Sequence, residues 1–355
     1  MVGGLLLVLS APAIARPQVL YRFADPRIDE ASGIAVGLRS PGVDYVQNDS
    51  GDTARFFAID AATGRTAATV TVPGATNVDW EDIAVAPDAA GRSSVWLADI
   101  GDNDAVRSEV RIYRVDEPRI APNARDRRVR STRPDVWRLR YPDGAVNAES
   151  FAVTPTGTGY LITKSLLGSS VVYRLPPRPD AAHVQTLVRV GAITFGARQS
   201  DTRFGAIGTL TATGAALSRD GSVLAVRTYA DAFLWPVRGN DVAAALRRAP
   251  TWVALPVEPQ GEGIVIDGSR LLVDSEGVGT AVYAVPLPRL PAPSTPSTPS
   301  TSVVPSTPVT SPQRSSAPRA ARHDSASSTS WLLVGTLGGA VLVAAAVTWR
   351  WRRAR

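Results

Sequence analysis

The sequence predicts an all-β fold, a β-propeller with five blades. A pattern of four short strands recurs at intervals of roughly 45–60 residues, which is typical of propellers, and it occurs five times within residues 18–288. The one short helix expected is Asp241–Ala249, between the third and fourth strands of the fourth copy. The fifth copy has no fourth strand of its own. We expect the N-terminal strand Gln18–Phe23 to supply it and so to close the ring without an open edge.

Each copy contains the same four elements in the same order. The first is a short apolar strand often preceded or begun by an acid, as in EASGIAV from Glu30 and DWEDIAV from Asp79. The second is an apolar run that ends in polar residues, as in VWLADIGDN, and the third and fourth alternate, as in VRIYRV and DVWRLRY. Alternation of this kind predicts half-buried strands. A sixth blade would have to lie in residues 193–208, a segment too short for four strands.

Both ends of the chain are predicted to lie outside the propeller. Residues 1–15 are apolar and end in Ala-Ile-Ala, the pattern of a signal peptide. Residues 289–330 are rich in Pro, Ser and Thr and predict an extended stalk. Residues 331–349 carry no charge and have the length of a transmembrane helix, and the basic residues 350–355 predict a cytoplasmic tail. We therefore expect a single-pass protein of the cell membrane with the propeller outside.

Composition narrows the classes of partner and chemistry. The net charge is +6, but seven of the 38 basic residues and only one of the 32 acidic residues lie from Arg314 onward. The rest of the chain is neutral, which gives no reason to expect a nucleic-acid partner. The chain has no cysteine, so disulfides and Cys-ligated metals are excluded. His183 is the one histidine of the propeller region, which argues against His-based catalysis or a His-ligated metal.

Acidic residues gather at two positions of the repeat. In a propeller the start of the first strand and the turn after the second strand lie on the same rim. The candidate ligand or metal residues at the start of first strands are Glu30, Asp79, Glu81, Asp82, Glu149 and Glu262. Those at the end of second strands are Asp49, Asp99, Asp102, Lys164, Arg227, Asp274 and Glu276, beside the polar Asn48, Asp52 and Asn103. We expect all of them around one mouth of the central channel.

Crowded carboxylates repel each other and must be protonated, paired or bound to a cation. Oxygen ligands from Asp, Glu and Asn are those that Ca²⁺ takes, so the pattern predicts a calcium ion at this mouth. Two other interpretations stay open: Asp, Asn and Gly are ordinary turn residues, and the acids can form a satisfied polar network that closes the channel.

Lys164 is the only lysine of the chain, against 37 arginines. A lysine side chain has a pKa that burial can move, which arginine does not offer. Together with Glu81, Glu149 and Glu262 it makes up the set of candidate catalytic residues, with Glu81, Glu149 and Glu262 at equivalent positions of three copies.

The repeat motifs carry a resemblance. EASGIAV, NDSGD, VDWEDIAV, DIGDN and AESFAV resemble a group of exported bacterial propellers that is common in actinobacteria, over about residues 28–287. More distantly the chain looks like the calcium-using propellers that include phytase-like and esterase-like enzymes. The resemblance implies the propeller fold and a calcium cofactor. Its motifs are specific for the group and not for a reaction, because this fold hosts many functions.

Three functions remain open. The first is the binding of a ligand, with a divalent cation, at an acidic channel mouth; the ligand would be a cell-surface glycan, a protein, or a small phosphoester or ester. The second is a calcium-dependent hydrolase of a phosphoester or ester, or a glycosidase that uses two of the three glutamates. The third is a structural surface scaffold.

Overall fold

The computed structural model describes residues 16–87 and 90–290, and these residues form five sheets arranged as the blades of a propeller. Blade 1 contains β2 (Ala31–Val36), β3 (Val43–Asn48), β4 (Arg55–Asp60), β5 (Thr66–Thr71) and β9 (Arg127–Arg130). Blade 2 contains β6 (Trp80–Pro87), β7 (Ser93–Asp99), β8 (Val110–Asp116), β10 (Asp135–Arg140) and β14 (Asp180–Thr186). Blade 3 contains β11 (Ala148–Val153), β12 (Gly159–Thr163), β13 (Ser169–Arg174) and β15 (Val188–Thr194).

Blades 4 and 5 complete the ring. Blade 4 contains β16 (Ala212–Leu217), β17 (Val223–Thr228), β18 (Asp231–Pro236) and β19 (Thr251–Ala254). Blade 5 contains β20 (Gly261–Asp267), β21 (Arg270–Ser275), β22 (Ala281–Pro286) and, as its outer strand, β1 (Gln18–Arg22). Strand β1 pairs antiparallel with β22, from Gln18 opposite Ala284 to Arg22 opposite Ala281. The predicted all-β propeller of five blades, closed by its N-terminal strand, is confirmed.

The segments between strands follow the prediction at two points. Helix α1 (Val242–Leu246) lies between β18 and β19, and the Asp241 side chain caps it by accepting from Ala244 N–H at 2.8 Å. The helix is shorter than expected and ends before the exposed Arg247 and Arg248. The 193–208 segment forms no further blade; it holds the end of β15 and the start of a short 3₁₀ helix, Gly205–Thr209.

Two outer strands were not expected from the sequence. Strands β9 and β14 each add a fifth strand to a blade, and both pair parallel, β9 with β5 and β14 with β10. Both are largely exposed and polar, so they lack the apolar alternation by which strands are recognised in a sequence.

The core consists of five apolar clusters, one between each pair of neighbouring blades. Successive side chains of a strand point to opposite faces, so each inner strand contributes to two clusters. Phe56 packs between blades 1 and 2 while Phe57 packs between blades 1 and 5. Between blades 2 and 3, the Trp96 and Trp137 rings stack with centroids 5.1 Å apart. This packing fixes the angle between blades and hence the shape of the channel.

Within the described residues, no helix is long and apolar enough to cross a membrane. The predicted signal peptide, residues 291–330 of the predicted stalk, the transmembrane helix and the basic tail lie outside the described residues.

Candidate functional site

The first strand of every blade has a β-bulge at its start. In each pair of first and second strands the register shifts by one residue at this point. The residues at the shift are Ser32, Glu81, Glu149, Thr213 and Glu262. Bulges re-aim side chains and are frequent beside functional sites. We call the rim at which the first strands begin the channel mouth; three of its five bulge positions hold buried glutamates.

Three carboxylates from blades 1 and 2 meet at the channel mouth. Asp49 follows β3, Asp79 precedes β6, and Glu81 lies in the bulge of β6; one oxygen atom from each lies within 4.8 Å of the others. Ser50 N–H donates to Asp49 Oδ1 at 2.5 Å. In the part of the chain that the structure describes, none of the three forms an ion pair with a lysine or arginine. We call this group the carboxylate trio.

The backbone at Gly101 lies directly against the carboxylate trio. A Cβ atom at this position would overlap both Glu81 Oε1 and Asp79 Oδ2. The Gly101 N–H donates to the main-chain carbonyl of Asp79 at 3.1 Å, which holds the turn after β7 in this place. The lone glycine of the DIGDN motif is therefore required by the close approach of the two acids.

Burial and mutual repulsion shift the pKa values of the trio. Burial raises the pKa of Glu81 well above its usual range, and the charges of Asp49 and Glu149 raise it further. Burial, followed by the charge of Asp79, likewise raises the pKa of the Asp49 carboxyl. Burial also raises the pKa of Asp79, so these shifts favour retention of a proton by the Asp49–Asp79 pair in the absence of a cation. A divalent cation would replace this proton and relieve the repulsion.

Lys164 and Glu149 form a second group beside the trio. Lys164 Nζ donates to Glu149 Oε1 and lies 5.4 Å from the centroid of the Tyr229 ring. Burial lowers the pKa of Lys164, but the charge of Glu149, supported by Tyr229 and Glu262, outweighs it and leaves the pKa well above its usual range. Lys164 is therefore a fixed cation. Glu149 Oε2 and Glu262 Oε2 are buried and have no hydrogen-bond partner among the described residues.

Glu276 extends the acidic group towards blade 5. Gln260 Nε2 donates to Glu276 Oε1, and Arg203 Nη2 donates to Gln260 Oε1. Burial raises the pKa of Glu276 to about 7, with a further contribution from the charge of Glu30. Arg203 lies over the Phe204 ring at 4.6 Å. The loop before β16 thus borders the mouth with an arginine and an aromatic ring.

The remaining candidates of blade 2 have partners inside the protein. Asp82 is fully buried and accepts backbone N–H groups from Ile83, Phe151 and Ala215 at 2.8–3.1 Å. It therefore ties blade 2 to blades 3 and 4. Asp99 Oδ1 accepts from Arg107 Nη2 at 2.8 Å, and Asp102 accepts the N–H groups of Val106 and Arg107 at 2.9 and 2.8 Å. Asp99 is thus balanced by an arginine, and Asp102 closes its own turn.

Arg227 and Asp274 hold blades 4 and 5 together. The Arg227 guanidinium donates to Glu258 Oε2 at 2.8 Å and to the carbonyls of Gly263 and Asp274 at 2.8 and 3.0 Å. Asp274 Oδ1 accepts from Gly263 N–H at 2.8 Å, and burial raises the pKa of Asp274 to about 7. Arg227 is fully buried, so its charge stabilises the junction between blades 4 and 5.

Three residues of this network were missed in the sequence. Arg107 lies eight positions after Asp99, in a loop whose conformation the motif does not reveal. Glu258 lies before the first strand of blade 5, and nothing in the sequence except its charge indicates a role for it. Asn147 stands just before the AESFAV strand, the position at which other copies carry an acid; its side chain accepts from Asp102 N–H at 2.7 Å and donates to Glu149 Oε1 at 3.3 Å.

Exposed apolar side chains surround the same rim. Among the described residues, most of the large hydrophobic side chains that are exposed lie in loops at the channel mouth: Val78, Val106, Leu166, Leu167, Ile207, Val257 and Val278. The others, Val19, Val184, Val188 and Trp252, lie on the outermost strands. We call the first set the apolar rim. Such side chains are common at binding surfaces.

Two solved structures resemble this chain at low sequence identity. No protein-family model and no curated protein matches the chain. The PQQ-bound aldose sugar dehydrogenase of Streptomyces coelicolor is 13% identical, with a TM-score of 0.41 over 78% of this chain and 99% of that chain. A glucose dehydrogenase is 10% identical, with a TM-score of 0.42 over 76% of this chain and 99% of that chain. Neither cofactor nor substrate is carried over from proteins this distant.

Proposed function

We propose that this protein binds a calcium ion at the channel mouth and holds a ligand there. The carboxylate trio carries the proposal, because three acids from two blades approach within 4.8 Å. Calcium takes six to eight oxygen ligands and accepts irregular geometry. Without a cation, the same arrangement raises the pKa values of Asp49, Asp79 and Glu81.

Two further oxygen atoms support a cation rather than a closed polar network. Glu149 Oε2 and Glu262 Oε2 are buried without a hydrogen-bond partner in the described residues. Leaving such acceptors unsatisfied costs free energy, whereas an ion, or water bound to it, would satisfy them. Asp82, Asp102 and Arg227 are left out of the proposed site because each has partners within the protein. Asp99 is left out because Arg107 balances its charge, although its Oδ2 atom has no hydrogen-bond partner among the described residues.

The apolar rim supports a ligand larger than an ion. Exposed apolar side chains gathered on one face are typical of interaction surfaces. The chain leaves the last blade on the opposite side, where Leu287 N–H bonds to Ser269 in the turn between β20 and β21. A protein or a glycan of the cell surface is the partner class we propose.

The cellular setting is a proposal drawn from the sequence. Residues 1–15 would direct export, and residues 331–349 would anchor the propeller outside the cell membrane. The NDSG, WEDIA and DIGDN motifs support membership of the exported actinobacterial group. The position of Gly101 against the trio gives the DIGDN motif a physical reason.

Calorimetric titration of the chelator-treated full chain with CaCl₂ tests the proposal. We expect saturable binding at one site and a rise in the melting temperature, because an ion that binds only the folded state stabilises it. Asp79→Asn should weaken binding at least about tenfold. Asp201→Asn, an exposed acid in a loop of the same rim, is the matched control. If calcium neither binds nor shifts the melting temperature, the proposed calcium site is wrong.

A metal-assisted hydrolase is the second candidate, favoured by Lys164 beside the trio. A lysine that stays charged would hold an anionic oxygen of a phosphoester or ester, and Glu149 or Glu262 would accept a proton from water. Hydrolysis of p-nitrophenyl phosphate and p-nitrophenyl acetate should then require calcium and be lost in Lys164→Ala. If calcium binds but neither substrate is hydrolysed, only the binding function stands.

A further inference from the structure

A groove lined by arginines lies on the outer part of blade 1 and contains no residue of the carboxylate trio. It has a volume of about 350 Å³. Its lining residues are Arg27, Thr53, Arg55, Thr69, Thr71, Arg128, Val129 and Arg130. We call it the arginine groove. All four of its charged lining residues are arginines, whose side chains are hydrogen-bond donors only. The Thr69 and Thr71 hydroxyls already donate within the protein, to Asp126 Oδ1 at 2.7 Å and to the Val129 carbonyl at 3.3 Å.

The added strand β9 builds this groove. In the parallel pairing of β5 with β9, Thr69 lies opposite Arg128 and Thr71 lies opposite Arg130. On the other side of β5, Thr71 lies opposite Arg55. Because side chains alternate between faces, these residues share one face of the sheet. Val70, on the other face, packs between blades 1 and 2. Two rows of arginine side chains therefore cross the sheet about 6.6 Å apart, two strand residues. Arg128 lies in one row, and Arg55 and Arg130 lie in the other.

The four guanidinium groups fall into two classes. Arg27 is held by Asp25 at 2.5 Å and Asp126 at 2.9 Å, and Arg55 is held by Asp52 at 2.9 Å. Both lie over the Phe57 ring, at 5.5 and 4.9 Å, so their positions are fixed.

Arg128 and Arg130 form the second class. Both are exposed, and neither has a hydrogen-bond or ion-pair partner among the described residues. Two uncompensated charges thus stand beside two ordered ones, in a domain that is neutral as a whole. Guanidinium groups bind phosphate through paired hydrogen bonds and more specifically than lysine does.

We propose that the arginine groove binds an anion that carries several phosphate groups. One compact phosphate can occupy one row, whereas a molecule with several phosphates spans both rows and meets Arg128 and Arg130 together. The same chemistry is offered by a small oligophosphate and by a phosphate-bearing polymer. No residue of the carboxylate trio lines this site, so anion binding here does not require calcium.

The test is calorimetric titration of the full chain in neutral detergent with sodium tripolyphosphate and with inorganic phosphate. We expect tripolyphosphate to bind at least about tenfold more tightly than phosphate, because it contacts both rows. The double variant Arg128→Gln/Arg130→Gln should lose this preference. It should keep its fold, since both side chains are exposed and unpaired, and an unchanged melting temperature checks this.

The matched control is Arg125→Gln/Arg127→Gln, which removes the same charge from exposed arginines of the same segment outside the groove lining. The control should bind tripolyphosphate as the wild type does. Equal loss in both double variants, or equal affinity for phosphate and tripolyphosphate, would each overturn the proposal. Titration with long-chain polyphosphate distinguishes the two sources. An affinity that rises with chain length identifies a phosphate-bearing polymer as the ligand, whereas an affinity that stays constant identifies a small oligophosphate.

Discussion

A carboxyl oxygen of Asp49 in blade 1 lies within 4.8 Å of a carboxyl oxygen of Asp79 in blade 2, across the junction of two blades. Two acids in this position repel each other unless a proton or a cation lies between them. The backbone of Gly101 lies against Asp79 and Glu81 and leaves no space for a larger residue. The contact between Asp49 and Asp79 is thus held by the packing of the blades, and its chemical state depends on what binds there.

Gly101→Ala should abolish calcium binding without a change of charge. The added Cβ atom would overlap Glu81 Oε1 and Asp79 Oδ2, so both carboxylates must move. Gly196→Ala is the matched control, because this glycine lies in a loop of the same rim and a Cβ atom there meets nothing within 4 Å. Calcium titration of both variants measures the effect. Wild-type affinity in Gly101→Ala would show that the trio is not the binding site.

The stabilisation by calcium should increase with pH. Burial raises the pKa values of Asp49 and Glu81 well above the usual range and that of Glu276 to about 7. Folded-state pKa values above the unfolded ones give stability that is present at low pH and is lost as pH rises through the folded values. In EDTA the melting temperature should therefore fall between pH 5 and about pH 8. Calcium should reverse this fall at pH 8 and have little effect at pH 5. An equal calcium shift at both pH values would contradict the assignment.

Tyr21→Phe should weaken the closure of the ring. The Tyr21 hydroxyl of the closing strand donates to Asp44 Oδ2 of β3 at 2.7 Å, and both residues are buried. Loss of this bond leaves a buried carboxyl without its partner, at a cost of about 1–3 kcal/mol. Chemical denaturation measures the change, and Tyr283→Phe in the same blade is the control. A cost no larger than that of the control would contradict the role given to this bond.

The cost of Tyr21→Phe should also depend on pH. Burial raises the pKa of Asp44 to about 6, while the Tyr21 bond lowers it. The raised pKa means that Asp44 contributes stability below its unfolded pKa and loses it as pH rises through about 6. Without the Tyr21 hydroxyl the folded pKa rises further, so the variant should lose more stability at pH 8 than at pH 5. A constant difference would show that Asp44 is not the group involved.

Arg227→Gln should be strongly destabilising, whereas Arg227→Met combined with Glu258→Gln should recover part of the loss. Arg227 and Glu258 form a fully buried ion pair. Removing one partner of such a pair costs roughly 3–5 kcal/mol because the other charge stays buried, and replacing both costs less. Free energies of unfolding for Arg227→Gln, for Arg227→Met and Glu258→Gln singly, and for the last two combined test this. Additive effects would exclude coupling between the two residues.

The sequence predicts the fold better than the site. The fold depends on contacts between strands that are neighbours in the chain, whereas the site depends on contacts between residues far apart in the chain. Each blade is made of neighbouring strands, so the apolar alternation of DWEDIAV or VWLADIGDN reveals it locally. The recurrence of Glu81, Glu149 and Glu262 also indicates correctly that equivalent positions share one rim. The bulges that aim these side chains depend on strand register, which the repeat alone does not specify.

The partners of individual acids could not be predicted for the same reason. Asp82 is satisfied by backbone groups of blades 3 and 4, and Arg227 is paired with an acid 31 positions away. Such contacts arise only when the ring closes. Strand β9 shows the opposite case, since an exposed run of arginines has no core pattern and joins blade 1 through backbone pairing alone.

A crystal structure of the protein grown with calcium tests the central claim most directly. The account predicts one ion bound by Asp49, Asp79 and Glu81, with oxygen atoms about 2.3–2.6 Å away and an anomalous signal that identifies calcium. A mouth that holds only water, with a proton shared between Asp49 and Asp79 at saturating calcium, would contradict it.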